Sequence, residues 1–109
     1  MKALSVVIYL PYLISVLHII VGLPLALNWI KPNGWYGIRT QKSYENLEAW
    51  YAVNSYGGNA MIIAGILSLI MIILLHRYWS GDLLVKAVVM ITIPLVLVVA
   101  GTTYAVMAG

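Results

Sequence analysis

The side chains that could do chemistry lie in one polar segment, residues 33–58, between long apolar runs. Arg39 is the first candidate, because a guanidinium group binds a carboxylate or a phosphate through two parallel hydrogen bonds. Its partner could be Glu45 or Glu48, in which case an internal ion pair would fix the loop to the following helix. Its partner could instead be an anionic group of a ligand or a lipid.

Trp50, Asn54 and Gly58 follow each other at one-turn spacing on one face of a predicted helix. An aromatic ring, an amide and a bare backbone in that order could line a pocket that opens toward the loop. They could also be the contact that packs the loop against the first apolar helix. The sequence slightly favours packing.

Few features of the sequence indicate catalysis or metal binding. The chain has no Cys, which excludes disulfides and thiolate chemistry. His18 and His76 lack the spacing of metal ligands, so we predict no metal and no cofactor. Glu45 and Glu48 share a helix face, but acidic side chains in a first turn usually complement the helix dipole. We assign no catalytic residue, and the basic residues at the span ends do not suggest nucleic-acid binding.

The elements that must position this segment are apolar helices. The chain is 63% hydrophobic and 8% charged, with a mean hydropathy of +0.99. Each of its three apolar runs exceeds the roughly 20 residues that cross a bilayer. We therefore predict a single-domain, multi-pass, all-α membrane protein with three transmembrane helices, at about residues 4–29, 50–76 and 83–107. A structured polar and aromatic loop, with an interfacial helix start, occupies residues 31–58.

Small residues recur every three or four positions along the first two spans, which allows helices to approach closely. On the first span the face holds Ser15, His18, Gly22 and Ala26, and on the second Gly57, Ala60, Ala64 and Ser68, flanked by Asn54, Gly58 and Gly65. The second span is therefore predicted to be the central helix. Because these faces exceed what one bundle obviously needs, a homo-oligomer is expected as well.

His18 lies near the middle of the first predicted span. An ionisable group at that depth is by default a functional candidate, a possible intramembrane polar site. The alternative is a neutral histidine that donates one hydrogen bond to a neighbouring helix. No second titratable group lies at a matching depth.

Local signals predict where the helices bend and begin. Pro11 and Pro24 should bend the first span. Ser43 is predicted to be the N-cap of the second helix and Asp82 that of the third. Gly37 should supply a backbone conformation that a side chain would forbid.

Aromatic and basic residues mark the span ends. Trp29, Trp35, Trp50 and Trp79 all fall there, as an aromatic belt at the membrane boundary requires. Lys2, Arg77 and Lys86 would share one side of the membrane, and Lys31, Arg39 and Lys42 the other. This tie leaves the orientation open under the positive-inside rule.

The polar segment resembles the signature of the SdpI-type immunity proteins, roughly N-x3-G-I-R-T-x2-[ST]-x6-W-x3-[NH]-x2-[GA]-[GA]. The matching residues are Asn33, Gly37, Ile38, Arg39, Thr40, Ser43, Trp50, Asn54, Gly57 and Gly58. The resemblance implies a prokaryotic protein of the cell membrane. The founding members of that family protect a producing cell from its own secreted peptide toxin and sequester a repressor at the membrane. The resemblance implies no catalytic residue.

The sequence thus predicts a protein that binds a membrane-active peptide or a lipid-like ligand and confers resistance. The predicted binding residues are Asn33, Gly37, Arg39, Thr40, Glu48, Trp50 and Asn54. Arg39 would bind the anionic group of the ligand and Trp50 its apolar part. The alternatives are an accessory subunit of a larger membrane complex, and an interfacial enzyme acting on lipid or peptide with Glu48, Arg39 and His18 in its site.

Overall fold

The computed structural model describes the backbone of residues 2–108 and the side chains of residues 5–107. That part of the chain is helical and holds no strand; its helices are α1 (Lys2–Val7), α2 (Leu10–Ala26), α3 (Leu47–Tyr78) and α4 (Leu83–Ala108). Within it, three stretches are long and apolar enough to cross a membrane: Ser5–Ala26, Leu47–Tyr78 and Leu83–Met107. The predicted all-α fold with three membrane-spanning helices is confirmed.

The first span is two helices in sequence. The Tyr9 amide donates to the Val6 carbonyl at 3.0 Å in the turn that separates α1 from α2. Pro11 lies in the first turn of α2, where its missing N–H costs nothing. The predicted bend at Pro11 is therefore a break between two helices. At the other end, α2 ends at Ala26, three residues before the predicted end of the span at residue 29. Asn28, which follows, has a left-handed backbone conformation with φ of 60°.

Helix α3 begins later than the Ser43 cap predicts. Its N-cap is Asn46, whose Oδ1 accepts a hydrogen bond from the Ala49 amide at 2.7 Å. The prediction for Ser43 is wrong because its hydroxyl is already committed to a turn with Thr40, in which Ser43 is fully buried. Glu45 consequently precedes the helix.

Helix α4 begins as predicted. Asp82 Oδ1 accepts a hydrogen bond from the Leu84 amide at 3.0 Å, and the Asp82 carbonyl accepts one from the Lys86 amide. The first contact satisfies a donor that the first turn of a helix otherwise leaves unpaired, and the second is the first backbone hydrogen bond of the helix. Asp82 therefore caps α4.

Helix α3 is the central helix: it packs along both α2 and α4, which touch each other only sparsely. Its crossing with α2 is close. A Cβ atom on Gly58 would lie 2.6 Å from the Gly22 carbonyl oxygen and 2.5 Å from the Ala26 amide nitrogen. A Cβ atom on Gly65 would lie 2.6 Å from the Ser15 carbonyl oxygen. The predicted small-residue faces of the first two spans are thus in contact with each other.

The end of the bundle away from the polar loop has its own contacts. Its core cluster comprises Ile8, Ile72, Ala87 and Met90. The Tyr12 hydroxyl and His76 Nδ1 are hydrogen-bonded at 2.8 Å, and Lys86 Nζ donates to the His76 carbonyl at 2.9 Å. These bonds join α2, α3 and α4 at one membrane boundary.

Candidate functional site

The polar loop between α2 and α3 starts with a turn around Asn33. Asn33 Oδ1 accepts hydrogen bonds from the amides of Trp35 and Tyr36, at 2.9 and 2.6 Å, and its Nδ2 donates to the Lys31 carbonyl at 2.7 Å. An asparagine side chain that bonds the backbone on both sides of itself fixes a turn. The predicted binding residue Asn33 therefore shapes the loop.

Two tyrosine hydroxyls tie the loop down. Tyr36 donates to the Val21 carbonyl of α2, and Tyr44 donates to the Asn33 carbonyl at 3.0 Å. Burial raises the pKa of the Tyr36 hydroxyl above its ordinary value. The first bond holds the loop against α2, and the second closes the loop on itself.

Asn54 of α3 holds the middle of the loop. Its Oδ1 accepts from the Ile38 amide at 2.6 Å, and its Nδ2 donates to the Ile38 carbonyl at 3.2 Å and to the Trp50 carbonyl at 2.9 Å. Asn54 is buried, so these bonds satisfy groups that would be costly to leave unpaired. One side chain thus fixes both polar backbone groups of Ile38.

Gly37 is required by geometry. Its φ is +118°, a conformation that L side chains rarely adopt, which confirms the prediction for this residue. A Cβ atom there would lie 2.9 Å from Asn54 Oδ1 and 3.1 Å from the Trp50 ring. The loop backbone at Gly37 therefore lies directly on the Trp50–Asn54 face of α3.

Trp50 is a core residue. It is 0% exposed, its Nε1 donates to the Ile30 carbonyl at 2.8 Å, and its ring contacts that of Tyr44. The prediction that it belongs to an aromatic belt is therefore wrong, because the loop folds over it. Trp29 and Trp35, by contrast, are 66% and 81% exposed. The contacts of Trp50 and Asn54 are those of packing rather than of an open pocket.

Thr40 closes the second half of the loop. Its amide donates to Ser43 Oγ at 2.8 Å, and its Oγ1 accepts from the Ser43 amide at 3.1 Å. Reciprocal bonds of this kind hold a tight turn without any external partner. Thr40 is half-buried in that turn, so it too shapes the loop.

Arg39 is the exception among the motif side chains, because it is exposed. In the part of the chain that the structure describes, it forms no hydrogen bond and no ion pair with Glu45 or Glu48. The internal ion pair that the sequence left open is therefore not formed. The loop presents this guanidinium group outward.

His18 lies far from the loop. It is half-buried in α2, and its Nδ1 is buried without a hydrogen-bond partner among the described residues. The predicted bond to a neighbouring helix is therefore not formed through this atom. The contact between Gly22 and Gly58 sets the relative height of α2 and α3. At 1.5 Å per residue, His18 is then about 20 Å from Glu48 along the bundle. The structure does not bring these two residues into one site.

A groove of about 270 Å³ lies where the loop rests on α2 and α3. The residues that line it are Val21, Leu25, Trp35, Tyr36, Gly37, Ile38 and Met61. Arg39 follows the last loop residue of this lining. The exposed cation thus comes directly after the groove-lining residues in the sequence of the loop.

Sequence reasoning missed a second groove, of about 450 Å³, on the exposed face of α3. Its lining is polar and aromatic: Asn28, Glu48, Tyr51, Ala52, Ser55, Tyr56 and Asn59. The helical spacing of Glu48, Ser55 and Asn59, at steps of seven and four, is a signal that could have revealed it. Among the described residues, no three His, Asp or Glu side chains come together as metal ligands would.

These features define a small all-helical, multi-pass membrane protein whose first helical hairpin carries a rigid, hydrogen-bonded loop. Residues 30–107 match the SdpI/YfhL protein family, and the chain belongs to that family. The matched region covers the loop, α3 and most of α4. No curated protein and no solved structure matches the chain.

Proposed function

We propose that this chain is a resistance protein of a prokaryotic cell membrane that binds a membrane-active peptide or a lipid-like amphiphile. One observation carries the proposal: Arg39 is exposed on a loop whose other motif side chains are engaged in holding the fold. Membership of the SdpI/YfhL family supports the same function. The ligand would place an anionic group against Arg39 and an apolar part in the adjoining groove.

The rigidity of the loop favours recognition. The hydrogen bonds of Asn33 and Asn54 fix the backbone on both sides of Gly37 before any ligand arrives. A binding surface that is already ordered loses less conformational entropy on association. Asn33, Thr40, Trp50 and Asn54 are therefore positioning residues in this proposal and do not themselves touch the ligand, whereas Gly37 lines the groove.

In this proposal the apolar part of the ligand contacts Trp35, and not Trp50 as predicted from the sequence. Trp50 is fully enclosed, whereas Trp35 is largely exposed and lines the groove beside the loop. An exposed indole at a membrane boundary suits an amphiphile that arrives within the bilayer surface. Arg39 and Trp35 thus form the proposed contact surface.

Binding to reconstituted protein tests the proposal. Membrane-active peptides of one sequence, with either a free or an amidated C-terminus, would be titrated onto the protein in nanodiscs. Loss of charge-assisted hydrogen bonds at Arg39→Ala should weaken binding of the free acid about tenfold or more. Amidation should weaken binding to the wild type and leave Arg39→Ala unaffected.

Lys42→Ala is the matched control, since Lys42 is another exposed cation of the same loop. It should bind the free-acid peptide as the wild type does. If Arg39→Ala and Lys42→Ala weakened peptide binding equally, general surface charge would explain the effect. That result would contradict the assignment of Arg39 as the residue that binds the anionic group. Arg39→Lys should retain only part of the affinity, because lysine cannot form the bidentate pair.

A homo-oligomer stays a prediction. The small-residue faces of α2 and α3, on which this prediction rests, pack against each other inside one chain. One surface left for a second copy is the apolar face of α4, where Val96, Val99 and Met107 are exposed. Cross-linking in membranes through that face tests the prediction.

A further inference from the structure

The exposed face of α3 changes from polar to apolar along the helix. Glu48, Ser55 and Asn59 line the polar groove near the loop, and exposed isoleucines begin at Ile63 and continue at Ile66 and Ile70. The Ser55 hydroxyl donates to the Ala26 carbonyl at the end of α2, so the polar groove lies level with the end of the first span. This is the depth of lipid headgroups, with hydrocarbon beside the isoleucines.

The groove is rich in free acceptors. The Glu48 carboxylate is exposed and pairs with no cation in the described part of the chain. Asn59 Nδ2 donates to the Ser55 carbonyl at 2.9 Å, which leaves Asn59 Oδ1 to accept a further bond. An ammonium group has three donors and no acceptor, and so it complements such a surface.

The groove also lacks a positive charge of its own, although the whole chain carries a net charge of +3. None of the described lining residues is Lys, Arg or His. The rings of Tyr51 and Tyr56 flank the groove, and an aromatic face attracts a cation. Charge complementarity therefore indicates a cationic occupant.

The geometry points to a phospholipid whose headgroup ends in a primary ammonium group, and we propose that this groove binds it. Glu48 and Ser55 are separated by about 10 Å along the helix, which suits an extended headgroup and its glycerol. The ammonium would pair with Glu48, the Asn28 amide and the tyrosine hydroxyls would donate to the phosphate, and the acyl chains would lie along Ile63 and Ile66. This order of charge, polar and apolar groups follows the order found in a lipid.

This site is distinct from the Arg39 surface and does not depend on the proposed resistance function. The loop packs on the Trp50–Asn54 face of α3, whereas the groove lies on another face of that helix. Loss of one site would leave the other intact. The two proposals can therefore fail separately.

Native mass spectrometry of the purified protein tests the inference. Dioleoyl phosphatidylethanolamine, phosphatidylcholine and phosphatidylglycerol would be titrated separately into delipidated protein in micelles. The wild type should retain the ethanolamine lipid up to about fivefold better than the glycerol lipid, the size of effect expected from an exposed ion pair. The choline lipid should bind less well than the ethanolamine lipid, because its ammonium group cannot donate a hydrogen bond.

Glu48→Gln should abolish this preference, and Glu45→Gln should preserve it, because Glu45 is an equally exposed carboxylate outside the groove. If Glu48→Gln fails to fold, Ala52→Glu provides an independent test, since a second carboxylate one turn from Glu48 should strengthen the preference. Equal retention of all three lipids, or an unchanged preference in Glu48→Gln, would overturn the inference. Selective binding of a lysine-containing amphipathic peptide, with no preference among the lipids, would also overturn it.

Discussion

Asn54 and Ile38 are joined by two hydrogen bonds, in which one side-chain amide satisfies both the N–H and the C=O of a loop residue. The Ile38 side chain also fills the space above Gly57, where a Cβ atom would overlap it. At Ile38 the loop is therefore attached to the central helix through both its backbone and its side chain. Because Ile38 is held in this way, the backbone of the next residue, Arg39, is also fixed in position.

Replacing Asn54 with Leu should loosen the loop at Ile38. The change removes both bonds and leaves the polar groups of Ile38 unpaired, so the free energy of unfolding should fall by about 2–4 kcal/mol. Unfolding by SDS titration in mixed micelles would measure it. Asn59→Leu is the control, because Asn59 is exposed and bonds only within its own helix; it should change stability by less than about 1 kcal/mol. Similar losses in both variants would contradict the attachment.

Replacing Gly58 with Ala should separate α2 from α3. The added methyl group would meet backbone atoms of Gly22 and Ala26, which cannot rotate away as a side chain can. We expect a loss of about 1–3 kcal/mol, as for other overpacked cores. Gly34→Ala is the matched control, since no atom of the described residues lies within 4 Å of its Cβ position, and it should be nearly neutral. A thermal shift in Gly34→Ala as large as in Gly58→Ala would argue against the close crossing.

Tyr36 should make stability sensitive to high pH. Its pKa is raised in the folded protein by burial. Below the ordinary tyrosine pKa of about 10, the hydroxyl is protonated in both the folded and the unfolded state, and it makes its full contribution to the free energy of unfolding. As the pH rises above that value, the unfolded chain loses its proton first, so the folded state loses stability.

The stability difference between the wild type and Tyr36→Phe should therefore narrow as the pH rises above about 10. Unfolding measured across this range, with absorbance at the tyrosinate band to follow ionisation, provides the test. A pH-independent difference would mean that the hydroxyl is as accessible in the folded state as in the unfolded chain.

Much of the fold follows from the sequence because hydrophobic length is a local property. The apolar runs predict the three spans, and the spacing of small residues predicts that Gly22 and Gly58 lie in packing faces. Asp82 and Gly37 were predictable for the same reason, since a cap and a left-handed turn depend on immediate neighbours. The N-cap at Ser43 failed because Thr40 competes for the same hydroxyl, and propensity alone cannot rank two partners.

The candidate site was harder to predict because it depends on which side chains the loop covers. The sequence places Trp50 and Trp35 equally near a membrane boundary, but the fold buries one and exposes the other. It likewise leaves Arg39 with two possible partners, and only the three-dimensional path of the loop shows that neither Glu45 nor Glu48 is reached. The second groove was overlooked because its residues lie outside the recognised motif.

The most direct test of the proposed resistance function is survival of sensitive bacteria challenged with a panel of membrane-active peptides. Cells would express the wild type, Arg39→Ala, Trp35→Ala or Lys42→Ala at matched levels in the membrane. We predict protection by the wild type and by Lys42→Ala, with protection lost in Arg39→Ala and reduced in Trp35→Ala. Full protection by Arg39→Ala, or none by a well-inserted wild type, would contradict the account.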